Sequence, residues 1–165
     1  NGEENTLEWT RGLVKNLARR PQGNDRAQIK AIAQGQCDIA IVNHYYYGVM
    51  LNSDDAEQRQ AANTVMLVFP NQGATDRGAH INVSGGGVTR YSKNKENAIK
   101  LLEFLSSPPA QKLYADINFE YPVNKTVGLS SSLDIWGNFK ADEISINDIA
   151  NLSPSAQRII DIAGW

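Results

Sequence analysis

Cys37-Asp38-Ile39-Ala40-Ile41-Val42-Asn43-His44-Tyr45-Tyr46-Tyr47 is the stretch that decides how this chain is read. Its first six residues form a short apolar run of the buried-strand type. Asn43 and His44 follow, and then three consecutive tyrosines. A strand that ends in adjacent phenols sets hard oxygen donors at the carboxyl edge of a sheet, which is where open α/β sheets bind ligands. Phenolate oxygen is an uncommon metal ligand that favours hard, highly charged cations, and tyrosine-ligated iron in haem catalases is an example. A free phenol ionises only near pH ~10, so at neutral pH it is a poor ligand. A trivalent cation shifts that balance by direct coordination, as zinc acidifies its bound water. The competing reading makes the tyrosines amphipathic packing residues at a strand–helix junction.

Outward from this stretch, the pattern alternates between helical and extended segments. Upstream, Trp9, Leu13 and Leu17 recur every four residues with Val14 beside them, which predicts a helix over 5–18 that Pro21 stops. Asp25 is placed to cap a second helix over 26–34, ending at Gly35. Downstream, 45–51 and 55–62 read as helices. Val65-Met66-Leu67-Val68-Phe69 is a continuous apolar run bounded by Pro70 and predicts a buried strand. Shorter strands are expected at 81–83 and 88–91, on either side of the glycine turn Ser84-Gly85-Gly86-Gly87. Ala98, Leu101, Leu102 and Leu105 fall at i, i+3, i+4 and i+7 and predict a helix over 95–106. Pro109 then sits in the first turn of a helix reaching about Asp116. Residues 125–142 read as irregular. Ser145-x-x-Asp148 resembles a capping signal for a short helix, and Ser153-Pro154 opens a last helix, 154–163, with Ala156, Ile159 and Ile160 inward. Helices interleaved with apolar strands give an α/β class. Only 37–42 and 65–69 are strong strands, few for an independent doubly wound domain.

The 165 residues fit one domain with room for an extension, and 41 % apolar residues suffice for a core. A net charge of −2 without a long basic run disfavours nucleic acid as a partner. No apolar stretch approaches the ~18 residues of a membrane span. The single cysteine, Cys37, excludes an internal disulfide and reads as a small buried hydrophobe. The polar opening Asn1–Glu4 has no signal-peptide pattern and runs straight into a helix, as a mature terminus, a truncation or a fragment would.

Other chemistry is sparse. On a strand, His44 would point opposite to Tyr45, toward solvent or just outside a coordination sphere. The glycine turn lacks the lysine and spacing of a phosphate loop. Arg19, Arg20, Gln22 and Asn24 precede a helix N-terminus and are candidate anion or cleft contacts, with plain surface solvation as the alternative. No nucleophile–base pair, HExxH or CxxC is present, so catalysis has little support.

Several stretches together resemble the periplasmic ferric-iron-binding proteins of bacterial ABC importers, the FbpA/FutA-like group. They are Ala18-Arg19-Arg20-Pro21-Gln22-Gly23-Asn24-Asp25, Asn43-His44-Tyr45-Tyr46-Tyr47-Gly48, Val68-Phe69-Pro70-Asn71-Gln72, Leu102-Glu103-Phe104-Leu105-Ser106-Ser107-Pro108 and Glu120-Tyr121-Pro122-Val123-Asn124. The resemblance implies part of a type II periplasmic binding protein fold, two-lobed and hinge-linked, with its first half apparently missing. It implies Fe3+ as the ligand, with an accompanying anion such as carbonate, and Tyr45 and Tyr46 as the metal ligands. Asn43, His44 and Tyr47 become neighbours of the pair. Residues 5–64 would form a second-lobe segment, 65–87 an inter-lobe crossing, 88–124 a return toward the first lobe and 125–165 C-terminal helices. The implied partners are an ABC permease and the ferric ion, and the expected location is the periplasm or a lipid-anchored extracytoplasmic position. Unpaired strand edges lead one to expect self-association or a complementary N-terminal half. A same-fold binding protein for an oxyanion, and a fragment unable to hold iron, stay open beside this reading.

Overall fold

The computed structural model describes residues 1–165 and contains eight α-helices. They are α1 (Glu3–Lys15), α2 (Asp25–Ala33), α3 (His44–Leu51), α4 (Ala56–Asn63), α5 (Lys95–Leu105), α6 (Pro108–Leu113), α7 (Ser131–Trp136) and α8 (Ile146–Ala163). A π turn over Tyr114–Asn118 extends α6. The chain divides into two compact units, one made of residues 1–23 and 142–165, the other of residues 24–141.

In the first unit α1 packs on α8. Arg158 on α8 pairs with Glu3 at 2.8 Å, and Ile159 is buried. The capping signal at Ser145 is real. Its Oγ accepts the Asp148 amide at 3.1 Å and donates to the Asp148 carboxylate at 2.6 Å. The short helix and the last helix expected from the sequence are one, because α8 runs straight through Pro154. Proline removes one backbone donor, and the capped start together with the apolar positions continuing to Ile159 carry the helix past that loss. Ala156 is exposed rather than inward.

The second unit is built around α3. Ile29, Met50, Ala61 and Ala62 form a buried cluster shared by α2, α3 and α4, with Val42, Tyr46, Tyr47 and Val65 packed against it. Ala115, Phe119 and Leu133 form another, with Tyr45, Val49, Tyr121 and Trp136 against it. Successive residues of α3 thus feed two cores, as the ~100° step between helix positions allows. Asn24, not Asp25, caps α2, and its side chain accepts the Ala27 amide at 3.1 Å. α7 occupies part of a region expected to be irregular. Ser130 caps it by accepting the Leu133 amide, and its hydroxyl donates to the Ala115 carbonyl.

The largest departure from expectation concerns the strands. The runs at 37–42, 65–69, 81–83 and 88–91 join no ladder, and the one bridge in the chain pairs Ala79 with Ala141. Ile39 and Ile41 are 84 % and 74 % exposed, and Met66 and Val68 are 81 % and 68 % exposed. A strand satisfies its backbone only through a neighbour, and these runs form no ladder with any other segment of the chain. Cys37 is accordingly half-buried rather than buried. Next to that bridge, where the Ala79 amide donates to the Lys140 carbonyl at 2.8 Å, a side chain adds to the pairing. Gln72 donates to the Lys140 carbonyl at 3.1 Å and accepts the Lys140 amide at 2.7 Å, as a strand neighbour would. Phe69 stacks on Phe139 just before, with ring centroids 4.2 Å apart.

Candidate functional site

The tyrosine run lies at the start of a helix, not at the end of a paired strand. Asn43 is the N-cap of α3, in extended conformation, but its side chain caps nothing. Instead its amide N–H and Nδ2 both donate to Asp25 Oδ1, at 2.7 and 3.3 Å. Asp25 is the first residue of α2. One carboxylate therefore ties the beginnings of α2 and α3 together, and each helix start favours negative charge.

Tyr45 and Tyr46 follow in the first turn of α3. Their rings lie 4.3 Å apart at an interplanar angle of 33°. The hydrogen bond between the two hydroxyls pushes the Tyr45 phenol up to about 12, with burial and the negative charges of Asp25 and Glu120 adding to the rise. The Arg26 guanidinium sits 5.7 Å from the Tyr46 ring centroid. Both tyrosines are half-buried. At neutral pH Tyr45 holds its proton, while the negative charges of Asp25 and Glu120 favour a cation in its place. A metal arriving here must release phenolic protons, so loading is coupled to pH.

Tyr47 has a different environment. Its hydroxyl donates to the Val65 carbonyl at 3.2 Å, its ring lies 5.8 Å from that of Trp136, and burial pushes its phenol up. Those contacts make it a packing residue that joins α3 to the 65–69 run.

His44 is not solvent-facing. It is half-buried, with its ring 5.4 Å from Tyr121, 5.8 Å from Trp136 and 6.3 Å from Tyr45. Its Nε2 lies 2.8 Å from the Phe119 carbonyl oxygen. A carbonyl only accepts, so His44 donates from Nε2. Burial holds the imidazole below its ordinary value of 6.5. Phe119 itself is left-handed, with φ 58° and ψ 32°, a conformation that costs a residue bearing a Cβ about 1–2 kcal/mol. Gly48, one helical turn after His44, explains how Phe119 approaches so closely. A Cβ at Gly48 would lie 2.5 Å from Phe119 Cγ and 2.8 Å from Trp136 Cη2.

Glu120 follows Phe119, and sequence reasoning did not single it out. Its Oε2 accepts the Ser84 hydroxyl at 2.8 Å, and its charge reaches Tyr45. Ser84, first residue of the glycine turn, thus holds a carboxylate. The available signal was an acidic residue inside Glu120-Tyr121-Pro122, but nothing in its spacing connects it to the tyrosines. Asn43, His44, Tyr45, Tyr46 and Tyr47 are together on α3, with Asn24 at the start of α2 in the same unit. Arg19, Arg20 and Gln22 belong to the other unit, where Arg19 Nη1 donates to the Arg20 carbonyl at 3.5 Å. No group of three His, Cys, Asp or Glu side chains in the chain is placed to hold a metal ion.

A phenol pair thus stands at a helix start, with Asp25 and Glu120 acting on Tyr45. The family model for bacterial extracellular solute-binding proteins matches residues 1–141, and the chain belongs to that family. It carries about half of a type II solute-binding fold. Among curated proteins it is similar to "Iron uptake protein A1" of Synechocystis sp., 46 % identical over 99 % of this chain and 45 % of that protein. It is also similar to the "Major ferric iron-binding protein" of Neisseria meningitidis, 28 % identical over 99 % of this chain and 46 % of that protein. Among solved structures, "Trichodesmium (IdiA) (FutA) in complex with iron and citrate ligands" superposes with a TM-score of 0.93 at 43 % identity, covering all of this chain and 52 % of that one. The chain thus spans about half the length of the relatives it matches.

Proposed function

We propose that this chain contributes the tyrosine side of a ferric-ion site in the solute-binding component of a bacterial ABC iron importer. The observation that carries the reading is the Tyr45–Tyr46 pair, whose tilted rings lie 4.3 Å apart in the first turn of α3 and whose side chains are joined by a hydrogen bond. The names of the relatives, iron uptake and ferric binding, support the cargo. Charge supports it as well, because Asp25 and Glu120 both act on Tyr45 and disfavour an anion there. In this reading Tyr45 and Tyr46 ligate Fe3+ as phenolates. Asn43 orients the helix start and Tyr47 packs behind it. In the whole protein the site would face a cleft between two lobes, and Asn24, at the start of α2 in the same unit, is a candidate contact for an accompanying anion such as carbonate. Cargo passes to a membrane permease outside the cytoplasm, without catalysis.

One observation favours a second reading. Tyr45, a phenol that keeps its proton at neutral pH, is a hydrogen-bond donor of the kind an oxyanion-binding relative would need. Titration of the chain with ferric citrate, followed by visible absorbance, separates the two. A phenolate–iron charge-transfer band that saturates and is lost in the Tyr45→Phe/Tyr46→Phe double variant is expected. A folded chain that develops no band overturns the ferric reading.

A further inference from the structure

Asp25 and Arg26 open α2, and each reaches α3. Asp25 Oδ1 accepts the Asn43 amide at 2.7 Å and Asn43 Nδ2 at 3.3 Å. Arg26, the next residue, lays its guanidinium over the Tyr46 ring, 5.7 Å from the centroid. Asn43 and Tyr46 are the cap and the third residue of α3, so both contacts fall at its first turn. Nothing local asks for a cation at this place. A helix start favours negative charge, and Arg26 is the second residue of α2. Its Nε is buried and hydrogen-bonds to nothing, and such a group calls for an explanation. The Tyr46 ring supplies one. A guanidinium is weakly hydrated and is attracted to the negative face of an aromatic ring within about 6 Å. Tyr46 also packs against the buried cluster that contains Ile29, one turn beyond Arg26 on α2, so the same two helices hold both the ring and the cation.

We propose that Arg26 is a positioning residue for Tyr46: its guanidinium holds the face of the ring and supports the negative charge that the ring carries when Tyr46 binds a ferric ion as phenolate. This rests on the ferric reading of Tyr45 and Tyr46. A phenolate delocalises part of its charge from oxygen into the ring, so a cation over the ring face is attracted to it more strongly than to the neutral phenol. That extra attraction exists only in the loaded state, and Arg26 therefore favours loading. Arg26 does not touch the ion, because a guanidinium has donors and no acceptor. It acts through the ring, as groups behind metal ligands commonly do, and losing such a group typically weakens metal retention by about 10- to 100-fold. The same cation leaves a spectroscopic mark. It lowers the filled phenolate orbital from which the charge-transfer transition starts, so the band lies at shorter wavelength than it would without Arg26.

The test measures retention of iron against citrate, and the wavelength of the phenolate–iron band, in the unaltered chain and two variants. Arg26→Met keeps an unbranched stem and removes the charge. Arg26→Lys keeps a cation on a stem of similar reach. Arg26→Met should weaken retention by about tenfold and move the band to longer wavelength. Arg26→Lys should leave the band near its original position and hold iron more tightly than Arg26→Met. A band that stays in place in Arg26→Met, whatever happens to retention, would show that Arg26 only packs, and would overturn the proposal. A band that moves equally in Arg26→Lys would overturn it too, because a cation would then not be what the ring senses. Should Arg26→Met fail to melt cooperatively, Arg26→Gln, also neutral, is read in its place by the same criteria. Absence of a band in the unaltered chain removes the ferric reading and this inference with it. A band that is present and indifferent to the charge at position 26 removes this inference only.

Discussion

Val42 and Ile41 are neighbours in one apolar run, yet they have different fates. Val42 packs against the Ile29–Met50–Ala61–Ala62 cluster, while Ile41 is 74 % exposed and Ile39 84 % exposed. Both precede α3, which begins at His44, and Val42 is the one nearer to it. Within α3 the interior backbone groups find partners in the same segment, and the side chains need only a face to pack against. On its extended side, apolar residues of equal quality lie open, because a strand is stabilised only by another strand. The two regions share a composition and differ in self-sufficiency. The tyrosine pair sits at their junction, held by the self-sufficient part. Asp25 secures the start of α3 from one direction, and Phe119 receives His44 and Gly48 from the other.

The sharpest way to break this contrast is to remove Met50, which is fully buried between α3 and its neighbours. Met50→Ala should cost about 2–5 kcal/mol, as deletion of a core side chain does. Chemical denaturation of the two proteins side by side measures it. The substitution touches neither phenol hydroxyl, so a folded Met50→Ala protein should still take up iron under conditions where it is native. Loss of the iron band together with an unchanged melt would mean that Met50 serves the site rather than the fold.

A smaller effect sharpens the other attachment of α3. Burial lowers the folded-state value of His44 below its ordinary 6.5. Above pH ~6.5 the imidazole is neutral in both folded and unfolded chains, and its contribution to stability is complete. As pH falls below that, the unfolded chain takes up the proton first, so stability declines until the folded-state value is passed and then levels off. Melting temperatures measured across pH 5 to 8 should therefore fall on the acid side, and His44→Gln should flatten that part of the curve. A parallel pair of curves would place His44 in an environment no different from water.

The same contrast explains what the sequence made legible. The helices were readable because their signals are local. Ser145 with Asp148, the i, i+3, i+4, i+7 series at Ala98 to Leu105, and the prolines at 108 and 109 each act within a turn or two. The strands were readable as apolar runs, but a run does not name its partner, and no segment of this chain provided one. That error propagated into the site. Placing the run on a strand put His44 opposite Tyr45, toward solvent or just outside a coordination sphere. On a helix His44 aligns with Gly48 and reaches Phe119. The phenols themselves were legible as three adjacent tyrosines, and the helix start explains why two of them face alike enough to hydrogen-bond. Glu120, Ser84 and Phe119 were not legible as site residues, because their link to α3 spans 75 residues and depends on one backbone torsion.

The smallest effect is expected where the chain carries most exposed apolar surface. Ile39→Thr and Met66→Thr change side chains that are 84 % and 81 % exposed. Surface substitutions away from packed features stay within about 0.5 kcal/mol, so both variants should melt with the unaltered chain at micromolar concentration. The outcome depends on the runs being uncovered in solution, and that can be checked independently by light scattering. If either variant loses as much stability as a core deletion, or if stability rises with protein concentration, the runs are covered by another chain. Exposed edges invite that pairing, and concentration dependence is its thermodynamic signature. The contrast at the start of α3 would then hold only for the isolated chain. Neutral substitutions in a monomer would instead confirm that the α3 cluster carries its own stability, and that the phenol pair needs no sheet beneath it to stay in place.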